Sequence, residues 1–439
     1  MRKGEMEEYT DNQMYEQNPD PGRRRRRAGR GGFIPGVISG ILITVIVVGI
    51  LFAVGVGGNS GGQGSSGFTG AGQIGSASSS SAVNEGSVDK LRLLEEYVNY
   101  YYYKSDEVTK EQKEDGMYKG FVNSLGDAYS CYFTPEEYKQ LMEQTEGVYY
   151  GIGAYVGKDV ESGNCVISGI IKESPAAGSE LREGDIILKV DDKDMTGLEL
   201  DEVVANIRGE EGTKVKITVL RGSETIDLEI TRARVNSPTV DSEMLEDGIG
   251  YLQITEFDDI TVRQFEENME SLKSQGMKGL IIDLRGNPGG NVNTVCAIAE
   301  QLLPEGLVFY MEDKNGKRTE YPCSGADFDL PLVVLVNEYS ASAAEILSGA
   351  IKDAGIGKLV GKKTFGKGIV QNVIPLDDGS AIKLTVANYY TRGGNDIHLK
   401  GIEPDVEIDL DTDKFLEDGT DTQLDKAVEM MKEEMASGK

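Results

Sequence analysis

Side chains that could carry out covalent chemistry are concentrated in one stretch of this chain, residues 336–371. The stretch reads VNEYSASAAEILSGAIKDAGIGKLVGKKTFGKGIVQ. It contains three serines, a lysine held between two glycines, and a glutamine: Ser340, Ser342, Ser348, Lys367 and Gln371. A serine hydroxyl becomes an effective nucleophile when a neighbouring base removes its proton. The stretch therefore predicts nucleophilic chemistry, provided that it also contains the base.

The choice of base is narrowed by the scarcity of histidine. The whole chain has one histidine, His398, which lies outside the stretch. A hydroxyl nucleophile here would need a base other than imidazole, and lysine is the leading substitute.

The residues around Lys367 favour an apolar setting for its amine. Phe365, Ile369 and Val370 flank it in the segment FGKGIVQ. Burial would lower the lysine pKa from about 10.4 towards neutrality, as a general base requires. A solvated lysine in a turn is the alternative, since most lysines are exposed. Gln371 lies four residues on, so on a strand it would share a face with Lys367 and could hold the amine.

Two similar segments would position these groups. KGLIIDLRGNPGG and PLVVLVNEYSA each read as an apolar strand followed by a loop, and a helical pattern follows each of them. Functional groups in such a sheet collect in loops at the carboxyl ends of the strands. The helix that starts near Ser342 would present unpaired N–H groups in its first turn. With the N–H of Gly289 or Gly290 opposite, these groups could form an oxyanion hole.

Ser342 also has an interpretation without catalysis. Ser342-x-x-Glu345 fits a capping box, which would explain both residues as a helix start. Ser340 is a rival nucleophile that the residues alone do not exclude.

The rest of residues 235–415 predicts an α/β core. GIGYLQITEF reads as a strand and VRQFEENMESLKSQG as a helix, while DDGS between QNVIPL and AIKLTVANYY signals a hairpin. Parallel strands feeding helices, with an added antiparallel hairpin, predict one mixed sheet flanked by helices. Residues 416–439 predict a terminal amphipathic helix.

Residues 146–234 predict a separate small domain of five or six strands with two helices. The segment SPAAGSELREGDIILKVDDKDMTG and the later turn IRGEEGT resemble a PDZ domain of the bacterial protease type. The resemblance implies binding of a free C-terminal tail as an added edge strand, its carboxylate held by backbone N–H groups of a glycine loop. The candidate loop is Tyr150, Gly151, Ile152 and Gly153. The alternative is that these glycines only make a tight turn.

The N-terminal part predicts membrane attachment. Residues 33–57 carry no charge over 25 positions, enough for a transmembrane helix, and RRRRR lies just before them. The positive-inside rule then places residues 1–32 in the cytosol and the rest outside the cell. A cleaved signal peptide is the alternative, although the apolar run is long for one. Residues 58–86 predict a flexible Gly/Ser linker and residues 87–145 two or three helices, one starting at Thr134-Pro135.

Charge and cysteine content exclude several classes of function. Of the net charge of −29, residues 1–32 contribute eight basic and six acidic side chains, so the remainder carries −31. Such an acidic body is not a nucleic-acid binder. The cysteines lie at wide spacings that indicate neither a zinc site nor a disulfide framework: Cys131, Cys165, Cys296 and Cys323.

The order of these motifs resembles a known family. The PDZ segment, DLRGNPGG, SASAAEILSGAIKDAG and TFGKGIVQ are similar to the C-terminal processing peptidases, or tail-specific proteases, and the match extends over roughly residues 88 to 410. The resemblance implies a peptidase core similar to crotonase and Clp proteases, with a Ser-Lys dyad and no metal or cofactor.

The resemblance also implies roles for individual residues. By position, Ser342 would be the nucleophile, Lys367 the base, and Gln371 the third member; another branch of the family implies Asp353 instead. Ala343 N–H would form the oxyanion hole with the pair Gly289 and Gly290. Arg208 matches a position that could sense substrate binding, and a surface ion pair is its alternative.

These expectations combine into a membrane-anchored extracellular serine endopeptidase that recognises C-terminal tails through its PDZ domain. The alternative from another class is a catalytically silent PDZ adaptor that binds tails at the cell surface. The N-terminal and C-terminal helices could also pair two subunits in a homodimer.

Overall fold

The computed structural model describes residues 81–159, 162–326 and 328–437. The predicted basic tail, the predicted transmembrane helix and most of the predicted linker lie outside these residues. Within the described ranges, no helix has both the length and the apolar character needed to cross a membrane.

The described residues form nine α-helices. They are α1 (Glu85–Tyr101), α2 (Lys110–Asn123), α3 (Pro135–Glu146), α4 (Leu200–Ile207), α5 (Thr261–Ser274), α6 (Val292–Ala299), α7 (Ala343–Ala354), α8 (Thr412–Asp418) and α9 (Thr422–Ser437).

Nineteen strands are present in the same residues. They are β1 (Cys131–Phe133), β2 (Val148–Gly151), β3 (Ala154–Lys158), β4 (Cys165–Ile170), β5 (Ile186–Val190), β6 (Lys193–Asp194), β7 (Lys214–Arg221), β8 (Glu224–Thr231), β9 (Ala233–Asn236), β10 (Val240–Met244), β11 (Ile249–Ile254), β12 (Gly279–Asp283), β13 (Gly306–Asp313), β14 (Arg318–Cys323), β15 (Leu332–Val336), β16 (Gly357–Gly361), β17 (Ile369–Pro375), β18 (Ala381–Thr391) and β19 (Val406–Glu407).

The main sheet of the core is almost entirely parallel. Its strand order is β10-β11-β12-β15-β16-β19, and only β10 runs antiparallel to its neighbour. Every residue of β12 and β15 is buried, as expected for strands covered on both faces. Leu280 and Ile282 pack with α5, α6 and α7, whereas Ile281 faces α9. The carboxyl ends of β12 and β15 therefore meet at one edge, where their loops carry the predicted site.

The predicted hairpin belongs to a second sheet, which corrects the expectation of a single mixed sheet. β17 and β18 pair antiparallel across the DDGS turn, and β18 also pairs with β1 and β13. The turn chemistry worked as predicted, with Leu376 N–H donating to the Ser380 carbonyl at 2.8 Å. The 11-residue β18 is long enough to recruit partners from distant parts of the chain, and local pattern does not reveal such pairings.

The predicted PDZ domain has its own sheet and its own apolar cluster. Its strand order is β3-β4-β5-β7-β8, with β6 paired to β5. One helix, α4, is described in it, where the sequence predicted two. The segment after β4 forms turns, in which the Ser174 hydroxyl donates to the Gly153 carbonyl and accepts from the Ala177 N–H.

A two-stranded ribbon connects the PDZ domain to the rest of the chain. β2 enters the domain and β9 leaves it, and the two pair antiparallel from Val148 with Asn236 to Gly151 with Ala233. The ribbon lies between α3 and β10 in sequence, so the PDZ domain is inserted between the helical segment and the core.

Three helices occupy the N-terminal segment, at the upper end of the predicted number. α3 starts as predicted, with Thr134 as the N-cap and Pro135 in the first turn. α1 has no buried residue, although it carries exposed leucine, valine and tyrosine side chains.

Candidate active site

Ser342 lies at the start of α7 with an unusual backbone conformation. Its φ of +59° and ψ of −115° put a non-glycine residue in a region that side chains disfavour. Neighbouring groups hold it there: its N–H donates to Glu345 Oε2 at 2.9 Å, and its carbonyl accepts from the Tyr389 hydroxyl at 3.0 Å. Backbone strain held by its surroundings is common at catalytic residues.

The Ser342 hydroxyl does not cap the helix. Its Oγ is buried and has no hydrogen-bond partner within the described part of the chain. Only the Glu345 half of the predicted capping box is formed, so helix capping does not explain the serine side chain.

Glu345 connects the serine to the lysine. Its Oε2 accepts from both Ser342 N–H and Lys367 N–H, the latter at 2.8 Å. Its Oε1 accepts from the Gly366 N–H at 2.7 Å and from the Thr364 hydroxyl at 2.6 Å. Burial raises the pKa of Glu345, and these four bonds oppose the rise because they favour the ionised form. The backbone of the serine and that of the lysine therefore meet at a single carboxylate oxygen.

Lys367 is buried, as predicted, with 2% of its surface exposed. Its Nζ lies 4.8 Å from the centre of the Tyr129 ring. Burial is the main cause that lowers the pKa of Lys367 to about 7, and the positive charge of Lys383 adds to the effect. Glu345 and Asp127 act in the opposite direction. The amine therefore loses its proton near neutral pH, as a general base requires.

Lys383 is a second buried lysine in this region. On β18 it lies opposite Cys131 of β1, its Nζ is 5.3 Å from the centre of the Phe133 ring, and it hydrogen-bonds Cys131. Burial lowers the pKa of Lys383. Asp127 lies near both lysines. Its carboxylate accepts hydrogen bonds from the hydroxyls of Ser130 and Thr385.

The two other serines of the stretch have structural contacts. The Ser340 hydroxyl donates to the Leu284 carbonyl at 2.8 Å and accepts from the Asn337 N–H at 2.9 Å, so it joins the two loops. Ser348 lies buried within α7 and its hydroxyl faces the Glu345 carbonyl at 3.4 Å.

The glycine loop after β12 lies against Ser342. A Cβ on Gly289 would lie 2.6 Å from the Ser342 Cβ and 2.9 Å from the Ala343 nitrogen. The Gly289 N–H already donates to Asn287 Oδ1 at 2.8 Å. The N–H groups of Gly290 and Ala343 make no hydrogen bond within the described ranges. Of the three predicted oxyanion donors, these two have N–H groups that are free to donate to a ligand oxygen.

The two candidates for a third catalytic member, Gln371 and Asp353, have different surroundings. Gln371 is fully buried on β17, but its amide oxygen and nitrogen have no hydrogen-bond partner among the described residues. Asp353 lies near the far end of α7, about 15 Å from the start of that helix at a rise of about 1.5 Å per residue. There it accepts bonds from the Thr391 hydroxyl and the Gly393 N–H.

His398, the single histidine, is about 30 residues from Lys367 in the sequence, but it packs beside the loop that carries this lysine. The backbone of His398 packs against Gly368, since a Cβ on that glycine would lie 2.7 Å from the His398 nitrogen. Its Nδ1 is buried and has no hydrogen-bond partner in the described ranges.

A cleft of about 300 Å³ lies between the PDZ domain and the core. Of the predicted tail-binding loop, Gly151, Ile152 and Gly153 line it, and Tyr149 lines it in place of Tyr150. Among the described residues the N–H groups of Ile152 and Gly153 make no hydrogen bond, so both could bind a carboxylate.

Arg208 also lines this cleft. Its guanidinium carbon lies 5.4 Å from the centre of the Tyr149 ring. No ion pair of Arg208 is found in the described part of the chain, so the surface ion pair suggested by its sequence context is not formed there.

Sequence reasoning missed several residues that shape the site. Glu345 was recognised only as part of a capping box, and Tyr129, Tyr389 and Lys383 were not recognised at all. Their roles depend on contacts between distant segments, and the only available signal was the S-x-x-E spacing. No group of three or more histidine, cysteine, aspartate or glutamate side chains that could hold a metal ion is found in the described residues.

The sequence is similar to known proteins over both the predicted core and the predicted PDZ domain. Residues 248–408 match Peptidase family S41, and residues 140–220 match the PDZ domain. The carboxy-terminal processing protease CtpA of Bacillus subtilis (strain 168) is 38% identical over 367 residues, which make up 80% of this chain and 78% of that protein. The chain belongs to peptidase family S41.

Further relatives of this S41 peptidase support the assignment. A probable CtpA-like serine protease of Staphylococcus aureus (strain N315) is 36% identical over 331 residues, covering 74% of this chain and 66% of that protein. The structure of a putative S41 protease from Bacteroides fragilis NCTC 9343 matches with a TM-score of 0.50 at 19% identity, over 72% of this chain and 90% of that one. This likeness shows the shared fold. The S41 peptidase is thus a serine-type peptidase with a PDZ domain and a mixed α/β core, as the sequence predicted.

Proposed function

We propose that this peptidase hydrolyses peptide bonds with Ser342 as nucleophile and Lys367 as general base, after its PDZ domain has bound the substrate's C-terminal tail. The observation that carries the proposal is the shared bonding at Glu345, which accepts from the N–H groups of both residues. A buried amine with a pKa of about 7 and a buried serine hydroxyl that has no hydrogen-bond partner in the described ranges support this pairing.

The reaction would proceed in two steps. Lys367 takes the Ser342 proton while Oγ attacks the scissile carbonyl carbon, and the N–H groups of Gly290 and Ala343 stabilise the negative charge on the carbonyl oxygen. The leaving amine takes the proton from Lys367 as the C–N bond breaks. Water then attacks the acyl-enzyme ester, again with Lys367 as base, which releases the acid and restores Ser342. Gln371 lies on the strand after Lys367 and would adjust the amine once substrate is bound.

Tail recognition rests on the PDZ cleft. The N–H groups of Ile152 and Gly153 and the guanidinium of Arg208 can receive a terminal carboxylate, while the tail pairs as an edge strand. The relative from Bacillus subtilis is named a carboxy-terminal processing protease, which supports the same substrate class here.

Membrane anchoring and pairing of subunits are part of the proposal. The apolar segment 33–57 with its preceding arginines supports a single-pass protein with an extracellular catalytic region. The exposed apolar side chains of α1 support a homodimer, because unpaired apolar surface of this kind marks interaction sites. Fractionation of cells that express the full chain and a chain lacking residues 33–57 tests the anchor.

The central test compares a peptide that ends in a free carboxylate with its C-terminally amidated twin. We expect faster cleavage of the free form, and loss of cleavage in Ser342→Ala and in Lys367→Arg, which keeps the charge but cannot act as a base. Ser348→Ala and Lys358→Arg are the matched controls and should remain active. Full activity of both Ser342→Ala and Lys367→Arg would refute the dyad. Equal cleavage of the two peptides would refute tail recognition.

A further inference from the structure

Glu256 is a carboxylate of the peptidase core that lines the PDZ cleft. It follows β11 in the segment TEFDDI, residues 255–260. Together with Pro238, Thr239 and Thr255 it belongs to the core wall of the cleft. Ile152, Val204 and Ile207 line the opposite, PDZ wall. A tail bound in the cleft would therefore lie between an apolar wall and a wall that carries an acid.

The Glu256 side chain has no compensating partner. The residue is half-buried, and among the described residues neither a hydrogen bond nor a cation compensates its carboxylate, so burial raises the pKa of Glu256. The neighbouring titratable group is Asp258, which is also acidic. Arg208 lines the same cleft but lies over the Tyr149 ring. A carboxylate held in a cleft without a partner favours a ligand that supplies positive charge.

We propose that Glu256 selects substrate tails that carry a lysine or arginine side chain near the C-terminus. The inference rests on the proposed function, since it requires that the cleft bind a tail. A tail added to β3 as an edge strand directs successive side chains to opposite sides, so a residue upstream of the last one can face the core wall. The net charge of −31 outside residues 1–32 also draws cationic peptides towards the protein.

The test uses peptides that share the cleavage site and the last residue. A single lysine is moved through the three positions before the last residue, and methionine at the same position is the uncharged match. At pH 9, where a carboxyl group with a raised pKa still ionises and the lysine side chain stays protonated, we expect lysine at one position to raise kcat/KM about tenfold over methionine, which corresponds to one well-placed ion pair. In Glu256→Gln that ratio should fall to about one. In Glu256→Lys, glutamate at that position should become the preferred residue.

The matched control is Glu243→Gln, which removes an exposed carboxylate from β10, outside the cleft. It should keep the preference for lysine. If lysine has no advantage at any position in the wild type, or if the advantage persists in Glu256→Gln, the proposal is wrong. Persistence in both variants would assign the preference to the overall negative charge. Cleavage of the methionine peptides by the wild type tests the proposed peptidase function independently of the role of Glu256.

Discussion

The pKa of the Lys367 amine is adjusted by charged groups from three parts of the chain. Lys383 of β18 lowers its pKa, while Asp127 from the segment before β1 and Glu345 of α7 raise it; Tyr129 packs against it. Burial is the largest cause of the shift, and the neighbouring charges adjust the final value. The reactivity of the site is thus a property of several elements packed together.

We predict that Lys383→Met shifts the activity profile to higher pH. Wild-type kcat/KM should rise with pH and reach half its plateau near pH 7, because only the neutral amine can accept the Ser342 proton. Without the charge of Lys383, the protonated form of Lys367 is less disfavoured, so its pKa rises. We expect the midpoint to move up by about one pH unit, from the size of charge interactions in partly buried sites. The measurement is kcat/KM from pH 5 to 10.

Lys358→Met is the matched control, since it removes an exposed lysine from β16. It should leave the midpoint unchanged. Asp127→Asn should move the midpoint in the opposite direction from Lys383→Met. A downward shift in Lys383→Met would contradict this account of the site.

The sequence allowed part of this residue-level chemistry to be predicted. The burial of Lys367 follows from its apolar neighbours, and the pairing with Ser342 follows from the family resemblance. Lys383 was hidden in an alternating strand pattern, where a lysine normally faces solvent. Its burial depends on β1, which lies about 250 residues earlier and pairs with β18. Pairing between strands so distant in the sequence is a tertiary contact, and it cannot be predicted from hydrophobic periodicity or from composition.

At the scale of elements, the glycine loop after β12 is held by the segment that follows β11. Phe257 N–H donates to the Gly289 carbonyl at 2.9 Å, and the Asn291 N–H donates to the Phe257 carbonyl at 2.6 Å. Gly290, with φ of +141°, lies directly against the Phe257 backbone. These contacts set the direction of the Gly290 N–H.

Gly290→Ala should therefore damage catalysis more than folding. Its new Cβ would overlap the Phe257 carbonyl oxygen and turn the Gly290 N–H away from the reacting carbonyl. We expect kcat to fall at least about 100-fold, the typical cost of losing one oxyanion donor, with little change in the affinity for tail peptides. Steady-state kinetics and a peptide-binding assay provide the two readouts.

Gly286→Ala provides the comparison for backbone strain. Gly286 also has a positive φ, +72°, but a Cβ there meets no atom within 4 Å. It should cost about 1 kcal/mol of stability and keep most of kcat. An equal loss of kcat in both variants would mean that strain alone explains the Gly290 effect.

Sequence reasoning at this scale located the two strand-loop-helix units but could not choose between Gly289 and Gly290. The choice depends on Asn287, whose side chain occupies the Gly289 N–H. Side-chain direction within a loop is set by its three-dimensional surroundings. The sequence also predicted the hairpin of β17 and β18, but it did not predict that this hairpin belongs to a second sheet.

At the scale of the whole molecule, the main sheet is stabilised from both sides. The larger apolar cluster covers the face towards α5, α6 and α7, and a smaller cluster joins Ile281 and Val333 to Ala427 and Met431 of α9. The C-terminal helix is thus part of the core. The amphipathic pattern of the sequence predicted this helix, but it did not predict on which face of the main sheet the helix packs.

We predict that Met431→Ala lowers the free energy of unfolding of the core by about 2–4 kcal/mol. Met431 is fully buried, and truncation of a buried side chain loses transfer free energy and leaves a cavity. Met117→Ala, at an exposed position of α2, should change it by less than about 0.5 kcal/mol. Urea unfolding followed by circular dichroism gives both values. Equal stability of the two variants would show that α9 does not contribute to the core.

The ribbon of β2 and β9 makes the PDZ domain an exchangeable cassette. Because its entry and exit strands are neighbours, Gly151 and Ala233 face each other across one rung of the ribbon. A two-residue turn could therefore close the ribbon in place of the whole domain. In evolution or in engineering, one PDZ domain could be exchanged for another through this single junction while the chain around Ser342 stays unbroken. The domain proposed to bind the tail and the residues proposed to cleave it could therefore change independently.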